Sequence, residues 1–526
     1  MRGPPAPSFR AGAKLPASNE AHGVTYSLPA PYGGWNANGN LSNMPPLDAV
    51  VMDNVYPGVV DVSVRKGSTD HVTGFATTPK TFMVYEGPSV RKMFASTETG
   101  VYDVSTVGAL GSAAFSCTSS AWTSSNFSNA AGNFLVAVNG MDKLRVFNGT
   151  TWQAIDGSST PAITGIATTA LRQVTLFKRR LWFIEQGTMN LWYLPTDSFA
   201  GAATIFPVGE LFTRGGKVLA MGDWTVDSGQ GSDDYFTILS SRGELAVYKG
   251  TDPSSSTTWS LVGVYYVGTP VGTQPLVKFG GDLLVLTITG VFPLSSFVQS
   301  TIIDRSKSVS DKVRGAFLDY MTAFGTVAGW QVLDFPEGNS LFVNVPISTT
   351  QSVQFVMNKT TKAWCRFLNW NATSFCVFGG NLYFAGGTKI TQAWTGASDS
   401  GVAITGTVQQ AYTPLGRNGQ KQVTGVRPHI SVQGSGAVNY GIDADFVSSP
   451  TGSTLSYLAA NNSAIWDLTN WDQCIWTEGV LPIRPSWLTV PCDLGYLHSF
   501  RLQITSSTSS VVWTATNFLY NPAGVL

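Results

Sequence analysis

The run "NFLVAVNGMDKLRVFNGTTWQAI", residues 133–155, decides how this chain is read. A block of apolar residues meets an Asn-Gly turn, a second β-rich run follows, and a tryptophan closes the unit. β-Branched and aromatic side chains suit a pleated, half-buried surface, and Gly or Asn-Gly supplies the positive φ of a tight hairpin turn. The stretch therefore reads as a β-hairpin.

The same pattern recurs as "MFASTETGVYDVS", "RLWFIEQGTMNLWYLP", "YFTILSSRGELAVYKGTDPSSSTTWSLVGVYYV", "DLLVLTITGVFPLSS", "SLFVNVPISTTQSVQFVMNKTTKAWCRF" and "NLYFAGGTKITQAWTG". Taking Phe94, Phe134, Leu181, Phe236, Leu283, Leu341 and Leu382 as markers, successive units lie 40 to 58 residues apart. Propeller blades repeat every ~40 to 50 residues, and a lone hairpin cannot bury its own face until neighbours stack on it. About seven blade units in a ring follow.

One segment breaks the rhythm. In "DRSKSVSDKVRGAFLDYMTAF", Val309, Val313, Phe317, Tyr320 and Met321 fall at helical spacing, with Ser308 or Ser310 as the expected cap. This predicts one amphipathic helix near 308–322, inserted between two blades with its apolar stripe packed on the ring. After "WTGASDSG" the strands lose the blade spacing, which suggests a separate antiparallel β-sandwich. The expected division is an extended N-terminal arm over 1–27, a β-propeller-like domain over 28–400 and a C-terminal sandwich over 401–526.

Composition narrows the function. The 32 Lys plus Arg balance 32 Asp plus Glu, so no global field gathers nucleic acid or an anionic membrane. Charged residues are 12% of the chain, about half the ~25% of an ordinary soluble domain, so much of the surface is Ser, Thr, Asn and Gln or is covered by neighbouring copies. The first residues, "MRGPPAPSFRAGAKLPASNEAHG", show no signal-peptide core, and no apolar run approaches 18 residues, so neither conventional secretion nor a membrane anchor is expected. Cys117, Cys365, Cys376, Cys474 and Cys492 are scattered and odd in number, which reads as buried thiols of a protein folded in a reducing compartment.

Sites for chemistry are sparse. His22, His71, His429 and His498 lie far apart, and neither a phosphate-cradling Gly-Lys loop nor a nucleophile elbow is present, so no catalytic residue, cofactor or metal is expected. Propellers can serve as glycosidases through converging carboxylates, for which Asp103, Glu185, Asp234, Asp282 and Asp334 stand at strand ends. Each also sits beside a turn, where capping backbone groups is its ordinary role. "FKRRLWF" holds the densest basic cluster, Lys178, Arg179 and Arg180, as possible channel or phosphate contacts. Near the end, "NNSAIWDLTNWDQCIWTEG" sets Trp466, Trp471 and Trp476 five residues apart. Trp-Asp pairs of WD blades recur a blade apart and follow a Gly-His pair, which the blade region lacks. These indoles are expected to anchor a sandwich core or a seam between subunits.

The run "LPAPYGGWNANGNLSNMPPLDAVVMDNVYPGVVDVSVRKG" (28–67), with its Gly-Gly-Trp-Asn turn, "MDNVYP" and closing "VRKG", resembles the opening of tail nozzle proteins of short-tailed bacteriophages, the tail tubular protein B class. "SDKVRGAF" and the tryptophan comb are similar to that group too. The resemblance implies a structural virion protein without enzymatic activity. It implies a homo-oligomeric, six-fold ring below portal and adaptor that meets tail fibre or spike proteins and encloses the channel through which DNA leaves, without specific binding. It also implies assembly in the host bacterial cytoplasm. A subunit that surrounds DNA without gripping it should be nearly neutral, as this chain is. The alternative is a carbohydrate-binding or glycoside-cleaving propeller with a sandwich appendage.

Overall fold

A computed structural model describes residues 23–227, 232–298, 304–433, 436–448, 453–457, 481–483, 487–490, 492–508 and 510–523. Seven antiparallel sheets follow one another as blades. Blade 1 runs from Thr81–Glu86 to Ala113–Ser116 and blade 2 from Thr123–Asn129 to Trp152–Ile155. Blade 3 runs from Leu171–Phe177 to Thr204–Pro207, and blade 4 from Val218–Asp227 to Trp259–Tyr266. Blade 5 has three strands, Leu276–Phe279, Asp282–Thr287 and Gly290–Pro293. Blade 6 covers Gln331–Phe335 to Trp364–Phe367, and blade 7 begins with Ser374–Phe378, Asn381–Gly386 and Lys389–Ala393.

The first strand of each blade packs on the first strands of both neighbours, and that of blade 7 returns to that of blade 1, so the ring closes within one chain. Closure uses a strand from the other end of the sequence: Ser68–Thr73 pairs antiparallel with Lys389–Ala393 as the fourth strand of blade 7. Every blade buries both faces, because Leu, Val, Phe and Trp alternate toward the blades on either side. Between blades 3 and 4, for example, Trp182 lies 4.6 Å from Phe236 and stacks at 5.5 Å on Trp259.

Among the described residues blade 5 has no fourth strand, and the inserted segment meets its edge. There the Val309 amide donates to the Val291 carbonyl (2.9 Å), and the Val291 amide donates to Ser310 Oγ (3.1 Å). The helix forms over Arg314–Phe324, preceded by a short 3-10 turn at Asp311–Val313. Val313, Phe317 and Met321 are buried and Tyr320 half-buried, so the expected stripe packs inward. The expected cap does not form: Ser308 and Ser310 use their hydroxyls on the edge of blade 5, and neither caps a helix terminus.

The second domain is a sandwich. One sheet holds Lys421–Gln433 and Ser510–Pro522, and the other Val402–Gln410, His498–Ser506, Gly436–Ala444 and Ser453–Tyr457. N-terminal strands complete both. Val24–Pro29 pairs with Ser510–Pro522, and Asp48–Asp53 pairs with Val402–Gln410, while the hairpin Val55–Pro57/Val62–Val64 extends the first sheet. The expected divisions at 27/28 and 400/401 miss these pairings: Val24–Pro29 is a strand of the sandwich rather than an extended arm, Asp48–Asp53 bridges the sandwich and blade 6, and the chain crosses between domains twice. The physical reason is edge pairing: these strands find partners hundreds of residues away, which no local pattern signals. One apolar core runs from Val438, Leu502 and Trp513 of the sandwich through Trp35 and Met52 to Phe342, Phe355 and Trp364 of blade 6 and Phe317 of the helix.

Candidate functional site

Two places gather polar groups: the wall of the central channel and the joint between the domains. In the wall, side chains of one blade bond to the backbone of the next. Asn126 donates to the Val84 carbonyl (2.9 Å) and accepts from the Glu86 amide (3.0 Å); Thr123 donates to the Arg172 carbonyl (3.0 Å). Gln173 donates to the Met221 carbonyl (3.3 Å), Lys278 pairs with Asp223, and Gln331 both donates to the Phe375 carbonyl (3.0 Å) and accepts from its amide (2.8 Å). Inner strands of antiparallel blades leave backbone groups facing the axis, and amide and hydroxyl side chains satisfy them. A cavity of about 460 Å3 opens there, walled by Thr123, Ser125, Gln173, Thr175, Gln274 and the Lys278–Asp223 pair. That is the size of a small-molecule pocket, lined by amide and hydroxyl groups, one ion pair and several aliphatic side chains.

The joint is built from the residues that carry the N-terminal resemblance. Gly34 has φ +84°, and a Cβ there would stand 2.6 Å from the Trp364 carbonyl oxygen. Asp53 accepts two hydrogen bonds from Arg366 (2.7 and 2.8 Å), whose guanidinium lies 5.3 Å from the Trp35 ring. Asn54 donates to the Thr405 carbonyl (3.0 Å) and accepts from Arg65 Nε (2.9 Å). Arg65, fully buried, reaches Asp399 with two donors (3.0 and 2.6 Å) and lies 4.4 Å from the Trp370 ring. A Cβ on Gly67 would stand 2.0 Å from the Ser398 carbonyl oxygen, so the last residue of "VRKG" must be glycine for the chain to pass. Burial by itself would raise the Asp399 carboxyl, but the hydrogen bonds and charge of Arg65 hold it below the ordinary range.

Lys178, Arg179 and Arg180 occupy the turn between the first two strands of blade 3. Lys178 (φ 46°) and Arg179 (φ 62°) form a two-residue hairpin turn closed by the Phe177–Arg180 pair. Each meets a carboxylate: Lys178 with Asp234 (2.5 Å), Arg179 with Asp197, and Arg180 with Asp252 (3.4 Å). The partners are 56, 18 and 72 residues away in sequence, which is why the cluster reads as free charge in the sequence. Trp466, Trp471 and Trp476, like Cys474 and His22, lie outside the described residues.

The candidate carboxylates are spread over five blades. Asp103 pairs with Lys92 (2.7 Å), Glu185 accepts from Asn190 (2.9 Å) and Trp192 (3.1 Å), and Asp234 pairs with Lys178 (2.5 Å). Asp282 accepts from Ser295 Oγ (2.5 Å), and Asp334 pairs with Lys359 (2.8 Å). Each is held by its own ion pair or hydrogen bonds, and the five do not converge on one site. Cys117, Cys365 and Cys376 are buried and Cys492 partly so; burial raises all four thiols, that of Cys492 to about 11. Among the described residues, no helix is long and apolar enough to cross a membrane.

The strand pairings define the class: a seven-bladed β-propeller joined to a β-sandwich. No protein-family profile and no curated protein matches the chain by sequence. Solved structures similar to it are β-propellers. The β-propeller domain of Cps50 (Swd1) from Myceliophteria thermophila aligns at a TM-score of 0.38 and 9% identity, covering 61% of this chain and 99% of that one. YCF48 bound to D1 peptide aligns at 0.34 and 10%, covering 61% and 94%.

Proposed function

We propose that the chain is a structural virion protein, a tail nozzle or hub subunit of a short-tailed bacteriophage that assembles in several copies around the channel through which DNA leaves. One observation carries this reading. The residues of the N-terminal resemblance, Gly34, Asp53, Asn54, Arg65 and Gly67, all work in one joint that ties the propeller to the sandwich. A signature spent on holding two domains at a fixed angle belongs to an architectural part, whereas an enzyme's signature gathers at its substrate.

In this reading DNA passes between copies, around whose shared axis the subunits assemble. Ion-paired basic residues on a neutral subunit give passing phosphates little to hold. The carbohydrate reading draws on the amide and hydroxyl lining of the cavity in the channel wall, but the lining offers no aromatic ring on which a sugar could stack. Electron microscopy of virions carrying a tagged copy tests the proposal: density at the tail tip, below the portal, is expected. A protein absent from purified particles would overturn it.

A further inference from the structure

The outer strand of blade 4 is unlike those of the other blades. The outer strands of blades 1, 2 and 3 have four residues each, Ala113–Ser116, Trp152–Ile155 and Thr204–Pro207. Those of blades 5, 6 and 7 are covered by other parts of the chain: 308–310, Asp48–Asp53, and Gly108–Ala109 with Asp399. Blade 4 ends in Trp259–Tyr266, eight residues long and, among the described residues, paired on one side only. It exposes Leu261 (41%), Val262 (46%), Val264 (38%) and Tyr266 (41%). From Pro253 to Val277 the sequence holds no charged residue. Beside the strand, Val262 and Tyr265 wall an apolar crevice of about 200 Å3 with Trp224, Tyr235 and Val298. Short strands, charges and covering loops are the usual protections of a sheet edge; among the described residues this strand carries no charge and no strand pairs beyond it, and Arg214 lies only over Tyr266 at its end.

We infer that this edge pairs with the same edge of a second copy, antiparallel about a two-fold axis, so that two blades form one eight-stranded sheet. The sequence Trp-Ser-Leu-Val-Gly-Val-Tyr-Tyr is complementary to itself in that sense. A β-bulge at Val262, where Tyr248 pairs with Leu261 and Val247 with Gly263, puts Trp259, Leu261, Val264 and Tyr266 on one face, so with the axis between Val262 and Gly263 Leu261 meets Val264 of the other copy and Trp259 meets Tyr266, both apolar cross-strand pairs. Val262 faces Gly263, which leaves it room. A two-fold contact sets each residue against the same strand reversed, so a charge in the strand would meet uncompensated partners; there is none. Such a contact closes after two copies and builds no ring, so it covers the edge in the free protein. It stands independently of the virion reading.

Sedimentation of the free full-length protein tests it. A dimer is expected, and Val264→Lys, at a position already exposed, should weaken it about tenfold or more with an unchanged circular-dichroism spectrum. Mixing Leu261→Cys protein with Val264→Cys protein under mild oxidation should cross-link those two positions, identified by mass spectrometry, and neither variant alone should do so. A wild-type monomer at every concentration, a dimer indifferent to Val264→Lys, or dimerisation that appears only after residues 1–22 are removed would each overturn the inference.

Discussion

Arg65 closes on Asp399 across 334 residues of sequence, with both terminal guanidinium nitrogens on the two carboxylate oxygens. The same arginine donates to Asn54 and to the Leu368 carbonyl (3.1 Å), while Asp399 also accepts from Ser68 (2.9 Å) and the Trp370 indole (2.9 Å). Four stretches of chain meet there: the end of the N-terminal sandwich segment, the closing strand of the ring, blade 6 and the crossing into the C-terminal half. Replacing Arg65 by leucine keeps much of the apolar stem but strips Asp399 of its paired cation, leaving it Ser68 and Trp370 among the described residues, and removes a donor from Asn54 and from the Lys66 and Leu368 carbonyls. Removing one member of a buried pair costs about 3–5 kcal/mol. Chemical denaturation of Arg65→Leu should show a loss of that order.

Acid should act on the same pair. The folded Asp399 carboxyl sits below its ordinary value because Arg65 outweighs the effect of burial. Its contribution to stability is therefore complete above the unfolded carboxylate value of about 3.9 and is lost as pH falls below it. In wild type, stability should decline through that acid range. Asp399→Asn should begin lower and decline less steeply, and melting curves between pH 6 and 2.5 would show whether the slopes differ.

For Lys178, Arg179 and Arg180 the surroundings predict a null effect on nucleic acid. Their charges are met by Asp234, Asp197 and Asp252, and exposed pairs of this kind contribute about 0–1 kcal/mol each. Replacing all three by alanine should leave duplex-DNA affinity at low salt unchanged in fluorescence anisotropy. A marked fall in affinity would show that the cluster serves phosphates despite its partners.

The inserted helix offers an internal control. Phe317 is fully buried, 5.9 Å from the Trp330 ring and 6.4 Å from Phe355, whereas Leu318 next to it is exposed. Phe317→Ala should cost about 3–5 kcal/mol. Leu318→Ala should stay within about 0.5 kcal/mol, as surface changes do. Equal effects in urea denaturation would contradict the packing described.

What was legible in the sequence was local. Hairpins such as 133–155 announce themselves because both strands and their turn lie within about twenty residues, and the stripe Val313–Phe317–Met321 announces the helix. What was not legible was pairing at a distance. Nothing near Ser68–Thr73 says that it completes a blade begun at Ser374, and nothing in Val24–Pro29 points to Ser510–Pro522. The basic cluster was misleading for the same reason, since its neutralising carboxylates come from the next blade and from neighbouring turns. The joint was half visible: the sequence marks Gly34, Asp53 and Gly67 as a pattern, but their purpose lies in Trp364, Arg366 and Ser398.

His498 supplies a last prediction, in the sandwich. Its backbone exchanges two hydrogen bonds with Thr413 (both 2.9 Å), and its buried ring lies near Lys421, itself buried, with Asp445 opposing. Burial, and then the Lys421 charge, lower the imidazole to about 4. The folded ring is thus neutral at pH values where the unfolded one, with an ordinary value of 6.5, already binds a proton. Stability from this group is complete above pH 6.5, declines as pH falls, and is fully lost below about 4. His498→Gln keeps a neutral polar side chain and removes the titration. It should cost some stability at pH 7.5 yet flatten the pH dependence between 6.5 and 4. If the variant's melting temperature falls as steeply as wild type across that window, another group governs the acid sensitivity of the sandwich.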